Sequence, residues 1–294
     1  MQIGLQIGFQ IRANLHSELC NLKSQESISA AILLRVVKAV AITRAVSAAV
    51  GDCELTHLDR APIDVEVARA QHRAYEQALA GAGYLVERLE SDADMPDSVF
   101  VEDIAIVFDE LAILTRPGAE SRRREMPAIA AALARHRPLR AIESPATVDG
   151  GDVLVAGRHV FVGRSSRTND AAVLQMHVIL SPLGYSVCPV DVRGCLHLKS
   201  AITSLGDGLL LVNREWIDVA AFDRFTLVDV APGEPAAANA LRLADRVIVA
   251  KECPRTAERI AALGLRVERV EASELAKAEG AVTCCSLIIS GAAT

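Results

Sequence analysis

Near the C-terminus, Thr283-Cys284-Cys285-Ser286 places two adjacent thiols in a β-rich run. On a strand such neighbours point to opposite faces, so at most one of them can face a given pocket. Cysteine in that setting is either a buried, inert apolar residue or a nucleophile, depending on what favours its thiolate. His197 stands between leucines in Cys195-Leu196-His197-Leu198-Lys199-Ser200, with strand-like alternation. Histidine can move a proton near neutral pH, and it is equally common as a structural residue. Acids gather in Asp97-Ser98-Val99-Phe100-Val101-Glu102-Asp103 and in Thr147-Val148-Asp149-Gly150-Gly151-Asp152. Carboxylates at the mouth of an apolar strand need water or a cation, because bare burial is costly. The two glycines between aspartates read as a tight turn with positive φ. Arg122, in a run of three arginines, opens a predicted helix, where the macrodipole disfavours cations. Arg167 lies in the polar loop Arg164-Ser165-Ser166-Arg167-Thr168-Asn169. Arginines so placed point to an anion nearby or to a solvated loop.

Such groups need rigid elements behind them. From about residue 40 onward a unit recurs, in which a short apolar strand, a tight turn and a second strand precede a helix. Residues 103–115 give two β-rich runs around Asp109-Glu110, followed by a helical pattern over 122–135. Residues 152–163 give two more around Gly157-Arg158, followed by a helix over 170–183. Residues 200–213 repeat the pattern around Gly206-Asp207-Gly208, with a helix expected over 214–222. A strand at 245–250 precedes a helix over 255–263 and strands over 266–270 and 281–289. The opening unit has a strand at 41–46 and a helix over 64–82, which Asp64 can cap. Five α/β units at intervals of roughly forty to fifty residues suit a radial array. An ordinary α/β sandwich with irregular spacing suits the periodicity equally.

Composition narrows the class. Of 294 residues, 51% are hydrophobic and 3% aromatic, so the core is ample and aliphatic. A net charge of −6 argues against a general nucleic-acid-binding role. Seven cysteines, an odd number without a CxxC pair, indicate neither a disulfide framework nor a zinc ribbon. Reduced thiols in a cytoplasmic protein are expected, with no metal. Residues 1–11 alternate through Ile3, Leu5, Ile7, Phe9 and Ile11, as a strand would. Residues 30–50 are apolar, but Arg35, Lys38 and Arg44 interrupt them, so no membrane span is expected. No signal-peptide pattern is visible. Residues 1–40 are therefore expected to be an extension of uncertain structure, ahead of one catalytic domain over 41–294. Their alternation also suits edge-strand pairing with a partner, and a homodimer stays open.

In combination the motifs are specific. Asp97-x-Val99-Phe100-Val101-Glu102-Asp103 is followed by Thr115-Arg116-Pro117-Gly118-Ala119 and Asp149-Gly150-Gly151-Asp152-Val153-Leu154. Ser165-x-Arg167-Thr168-Asn169, Leu196-His197-Leu198-Lys199-Ser200 and Thr283-Cys284-Cys285-Ser286 complete the series. This order and spacing, over about residues 41–290, resembles the dimethylarginine dimethylaminohydrolases. The resemblance implies a five-bladed α/β propeller of the guanidine-modifying (pentein) superfamily, which decides between the two architectures. It also implies hydrolysis of Nω-methylated arginines, asymmetric dimethylarginine and monomethylarginine, to citrulline and an amine. The route would be a covalent cysteine thiouronium, with no metal or organic cofactor. Cys284, two residues before the motif serine, would be the nucleophile, and His197 the general acid and then base. Asp97, Glu102, Asp103 and Asp149 would hold the guanidinium, and Arg122 and Arg167 the substrate α-carboxylate through paired hydrogen bonds. Val46 and Ala278 match positions whose backbone contacts substrate. Two departures are Val46, where leucine is usual, and Glu279, where aspartate is common. An arginine deiminase acting on free arginine would use the same groups, although full-length deiminases usually carry a helical insertion for which this chain has no room. A non-catalytic propeller that binds an arginine-like ligand is a further alternative, against which the presence of both Cys284 and His197 speaks.

Overall fold

The structure, a computed structural model, describes residues 39–290, which form one compact unit. The expected alternation over residues 1–11 lies outside the described residues, as does nearly all of the expected extension.

Fifteen strands among the described residues form five sheets of three. The first sheet joins β1 (Val40–Arg44) to β2 (Leu85–Leu89) in parallel and, antiparallel, to the C-terminal β15 (Leu287–Ile289). The second contains β3 (Ala105–Val107), β4 (Ala112–Leu114) and β5 (Leu139–Ala141). β6 (Val153–Ala156), β7 (His159–Arg164) and β8 (Ser186–Asp191) make the third. β9 (Ile202–Gly206), β10 (Leu209–Val212) and β11 (Thr226–Asp229) make the fourth. The fifth contains β12 (Leu241–Arg242), β13 (Arg246–Ala250) and β14 (Arg266–Val270). Each sheet has one antiparallel and one parallel pair, and a parallel return requires a crossover. The crossovers are α1 (Val65–Gly81), α2 (Met126–Leu133), α3 (Asp170–Leu180) and α5 (Pro254–Ala262), while α4 (Leu198–Ala201) and α6 (Ser273–Ala276) are single turns beside the site.

The local chemistry explains these elements. Asp64 caps α1 by accepting from the N–H groups of Glu66 and Val67. That helix buries Ala68, Gln71, His72, Tyr75, Ala78 and Leu79, one face at helical spacing. Central strands such as Arg246–Ala250 are buried through their middle, which suits a layer covered on both faces. One strand of every sheet also faces a common cavity of about 330 Å³. Its lining includes Ala105, Val153, Thr203, Leu241 and Leu287.

Three expectations change. The helix over 214–222 is absent, apart from a 3-10 turn at Val219–Phe222. Asn213 accepts from the N–H of Glu215, Ile217 bridges to Val192, and Asp218 caps the late turn, so local bonds displace the helix. Strand 281–289 shortens to Leu287–Ile289, so Cys284 and Cys285 lie in a turn rather than on a strand, and both are buried. His197 likewise lies off the strands, in extended backbone immediately before α4.

Candidate active site

His197 is fixed from both sides. The N–H of Leu198 donates to Asp152 Oδ1 at 3.0 Å, and Cys195 Sγ donates to the His197 carbonyl at 3.4 Å. Its Nε2 lies 3.2 Å from Asp149 Oδ2, and its Nδ1 is 3.8 Å from Asp103 Oδ1. All three side chains are buried. Burial opposes a charge on the imidazole, but Asp103, the hydrogen bond to Asp149 and the nearby Asp152 outweigh it. The pKa of His197 rises to about 9, so at neutral pH the ring is an imidazolium held by carboxylates. Asp103 meets the same burial penalty, yet His197 and Arg122 hold it below the usual carboxylate range. Asp103, Asp149 and His197 are also the one group among the described residues whose donor atoms cluster closely enough to hold a cation. A metal ion there would have to displace the proton that the carboxylates hold on His197.

The glycines of Asp149-Gly150-Gly151-Asp152 serve proximity rather than positive φ, which neither has. A Cβ on Gly150 would lie 2.0 Å from the Glu102 carbonyl oxygen, and one on Gly151 would lie 2.5 Å from His197 Nδ1. The Gly151 N–H donates to Asp103 Oδ1 at 3.0 Å. Gly118 works in the same way, since a Cβ there would meet the Arg167 backbone at 2.7 Å, and its N–H donates to Asp149 Oδ1.

Cys284 closes the pocket. Burial, then Glu102 and Asp103, push its thiol well above the usual cysteine range, so the resting sulfur is protonated. Behind it, Glu102 accepts from Lys199 Nζ at 2.6 Å and Thr283 Oγ1 at 2.7 Å, and its N–H donates to the Cys284 carbonyl. Asn239 ties this floor together by bonding Thr283 and the Lys199 carbonyl.

Eight of the ten expected site residues line this pocket: Asp97, Asp103, Arg122, Asp149, Arg167, His197, Ala278 and Cys284. Two do not. Val46 is buried in an apolar cluster with Val50 and Phe100, because its side chain completes the core beneath β1. Glu102 faces the central cavity, where Lys199 draws its carboxylate. The expected two-bond grip of Arg122 on a substrate carboxylate also needs correction. Its Nε and Nη2 bond Glu125, Nη2 also reaches the Asp97 and Phe100 carbonyls, and Nη1 bonds Asp103 at 2.6 Å. With five N–H groups in all, one Nη1 hydrogen remains for a ligand. Arg167 is less committed, reaching Thr56 Oγ1 at 3.0 Å and lying 4.0 Å from Asp149.

Comparison with known proteins gives this geometry a family. Residues 56–230 match the model described as N,N dimethylarginine dimethylhydrolase, eukaryotic. The N(G),N(G)-dimethylarginine dimethylaminohydrolase of Streptomyces coelicolor is 41% identical over 84% of this chain and 95% of its own length. That of Pseudomonas aeruginosa is 40% identical over 76% of this chain and 89% of its own. The chain belongs to the dimethylarginine dimethylaminohydrolase family. A crystal structure of the Pseudomonas aeruginosa protein, a cysteine-to-serine variant complexed with citrulline, superposes with a TM-score of 0.80 at 37% identity, covering 85% of this chain and 98% of that one. The N-terminal domain of a cyanobacterial arginine dihydrolase shares the α/β fold, with a TM-score of 0.78 at 19% identity.

Several residues were not singled out in advance. Lys199 and Asp152 sit inside recognised motifs, and their neighbours drew the attention. Thr283 likewise stands inside the cysteine motif, and Asn239 is an ordinary polar residue whose value appears only when segments distant in sequence meet. Glu54 and Glu279 line the pocket mouth, and only Glu279 carried a signal, as a departure from aspartate.

Proposed function

We propose that this protein hydrolyses Nω-methylated arginine to citrulline and the corresponding methylamine, with Cys284 as nucleophile and His197 as proton carrier. The observation that carries this is the convergence of a buried thiol, a charged imidazole and carboxylates in one pocket, in a chain of this family. Crystal structures of relatives bound to citrulline and to S-methyl-L-thiocitrulline support the substrate class.

The guanidinium enters between Asp97, Asp103 and Asp149, and its charge favours the Cys284 thiolate, whose proton passes to water. The sulfur adds to the central carbon. An amine leaves poorly as an anion, so His197 protonates it as the tetrahedral adduct collapses to a thiouronium. The neutral imidazole then takes a proton from water, and the hydroxide adds to the same carbon. As that adduct breaks the C–S bond its hydroxyl proton passes to the departing sulfur, leaving the ureido product and the thiol. Arg167 takes the substrate α-carboxylate, helped by the single free Nη1 hydrogen of Arg122. The Ala278 backbone flanks the substrate, and Glu102 acts from below by bonding Thr283 and the Cys284 carbonyl, which positions the nucleophile loop. No step calls for a metal or organic cofactor.

The architecture we assign is a closed five-bladed propeller, supported by the strand that each sheet contributes to one cavity. Its single catalytic domain would take in residues 39–290, starting slightly before the expected residue 41 because Val40 pairs with Leu85 and Ile289 in the first sheet. A thiol nucleophile needs a reducing compartment, which favours the cytoplasm; no described helix is long and apolar enough to cross a membrane.

The test is citrulline release from asymmetric dimethylarginine, monomethylarginine and arginine by the protein and by Cys284→Ser. Turnover of the methylated substrates, lost in the variant, is expected. Turnover of arginine alone, or of none of the three, would overturn the assignment.

A further inference from the structure

The segment over residues 54–60 starts at the pocket mouth, where Glu54 lines it, and is bonded to the carboxylate of a second mouth residue, Glu279. Glu279 Oε2 accepts from the N–H of Thr56 at 2.9 Å, and Oε1 accepts from those of His57 and Leu58 at 2.5 and 2.8 Å. The segment is anchored at its two ends, where Leu55 packs on the core and Arg60 bonds the Gly51 and Cys53 carbonyls, while its middle depends on Glu279. Thr56 to Arg60 is exposed, and Leu58 keeps 51% of its surface in water. Other ties over the pocket are the Glu54 N–H to Asp97, Ser121 Oγ to the Glu54 carboxylate at 2.7 Å, and Arg167 Nη2 to Thr56 Oγ1. Glu279 itself is rigidly placed, with φ of +58°, next to Gly280, whose missing Cβ would fall 2.2 Å from the Phe100 ring. In this closed arrangement the pocket has about 20 Å³ of free space, room for roughly one water molecule. A substrate of arginine size needs more room than this, and lifting the segment would supply it.

We propose that Glu279 is the latch of this lid, a positioning residue whose three charge-assisted bonds set how often the pocket opens to substrate and reagents. The chemistry favours this role, since bonds to an ionised acceptor are about twice as strong as neutral ones. Three parallel N–H groups on one carboxylate break together when the backbone moves. The latch also sits five residues before Cys284, on the loop that carries the nucleophile. Arg167, the arm assigned to the substrate carboxylate, is tied to the same lid through Thr56, so an arriving carboxylate would compete for that arm as the lid moves. The proposal rests on the assigned hydrolase site, but its primary test does not require turnover.

That test measures the rate at which iodoacetamide alkylates Cys284, located by peptide mass mapping, in the substrate-free protein and in Glu279→Gln and Glu279→Asp. Trypsin cleavage after Arg60 is followed alongside. Glu279→Gln should raise both rates about tenfold, because the amide loses the charge and one of its two acceptor oxygens. Glu279→Asp, which keeps the charge at shorter reach, should fall between. Leu58→Pro, which removes one lid donor at an exposed position, should move both rates the same way and leaves Glu279 intact. With substrate, KM should rise more than kcat falls, since the reacting groups are untouched. Unchanged alkylation and cleavage in Glu279→Gln would overturn the latch. Faster rates matched by an equal rise in global unfolding would overturn it too.

Discussion

Gly151→Ala is a one-methyl perturbation aimed at the centre of the site. An added Cβ would lie 2.5 Å from His197 Nδ1, 2.8 Å from its Cγ and 2.8 Å from Asp103 Oδ1. Ordinary contact begins near 3.4 Å, so the ring must retreat by about 0.9 Å or the backbone must give. His197 has no easy retreat, since Asp149 stands 3.2 Å away and the Leu198 N–H is pinned by Asp152. Overpacking of this kind costs about 1–3 kcal/mol of stability. A displacement near 1 Å of a catalytic group costs about 10²-fold in rate. The expected result is a folded protein, a few degrees less stable by thermal unfolding, with kcat for dimethylarginine lowered about 10²-fold and KM changed far less. Gly81→Ala is the control: its Cβ meets nothing within 4 Å at the end of α1, so activity should hold and stability should stay or rise slightly. Wild-type kcat in Gly151→Ala would refute the claim that His197 works from this position.

Other consequences concern charge. The folded pKa of His197 lies at about 9, above its ordinary 6.5, so protonation stabilises the fold fully below pH 6.5, and that contribution is lost as pH rises through 9. Its full size is on the order of 3 kcal/mol. Urea unfolding should therefore show wild type losing stability between pH 6.5 and 9.5 more steeply than His197→Gln; parallel curves would contradict the assigned charge. Lys199→Met leaves the Glu102 carboxylate with Thr283 as its one side-chain partner in a nearly buried site, and should cost about 3 kcal/mol. Adding Glu102→Gln should recover part of that loss by the same assay, and no recovery would mean the pair is not coupled.

The repeat was legible because turns punctuate it. Gly157, Gly206, Asp207 and Gly208 all have positive φ, and they mark two of the hairpins read from the sequence. The third strand of a sheet was harder to read, as at β5 and β11, because these outer strands are half-exposed and mix polar with apolar residues. The site motifs named most of the pocket, yet the reason for Gly150 and Gly151 is a close approach between residues some fifty positions apart, which no local pattern encodes. Cys285 illustrates the same limit: it is kept from the site by a turn, not by strand alternation. The segment over residues 54–60 carries no periodic signal, because it is short, polar and largely exposed. Its register against Glu279 spans more than two hundred residues and becomes visible only once β15 has paired with β1.

The central claim is a covalent bond between Cys284 and the guanidine carbon of substrate. Acid quenching of the protein during turnover of asymmetric dimethylarginine, followed by peptide mass spectrometry, tests it directly. The expected result is a thiouronium adduct on Cys284 that appears within the first turnover and disappears as citrulline accumulates, with Cys285 unmodified. Citrulline formation with no adduct, or an adduct on Cys285 and none on Cys284, would contradict the account.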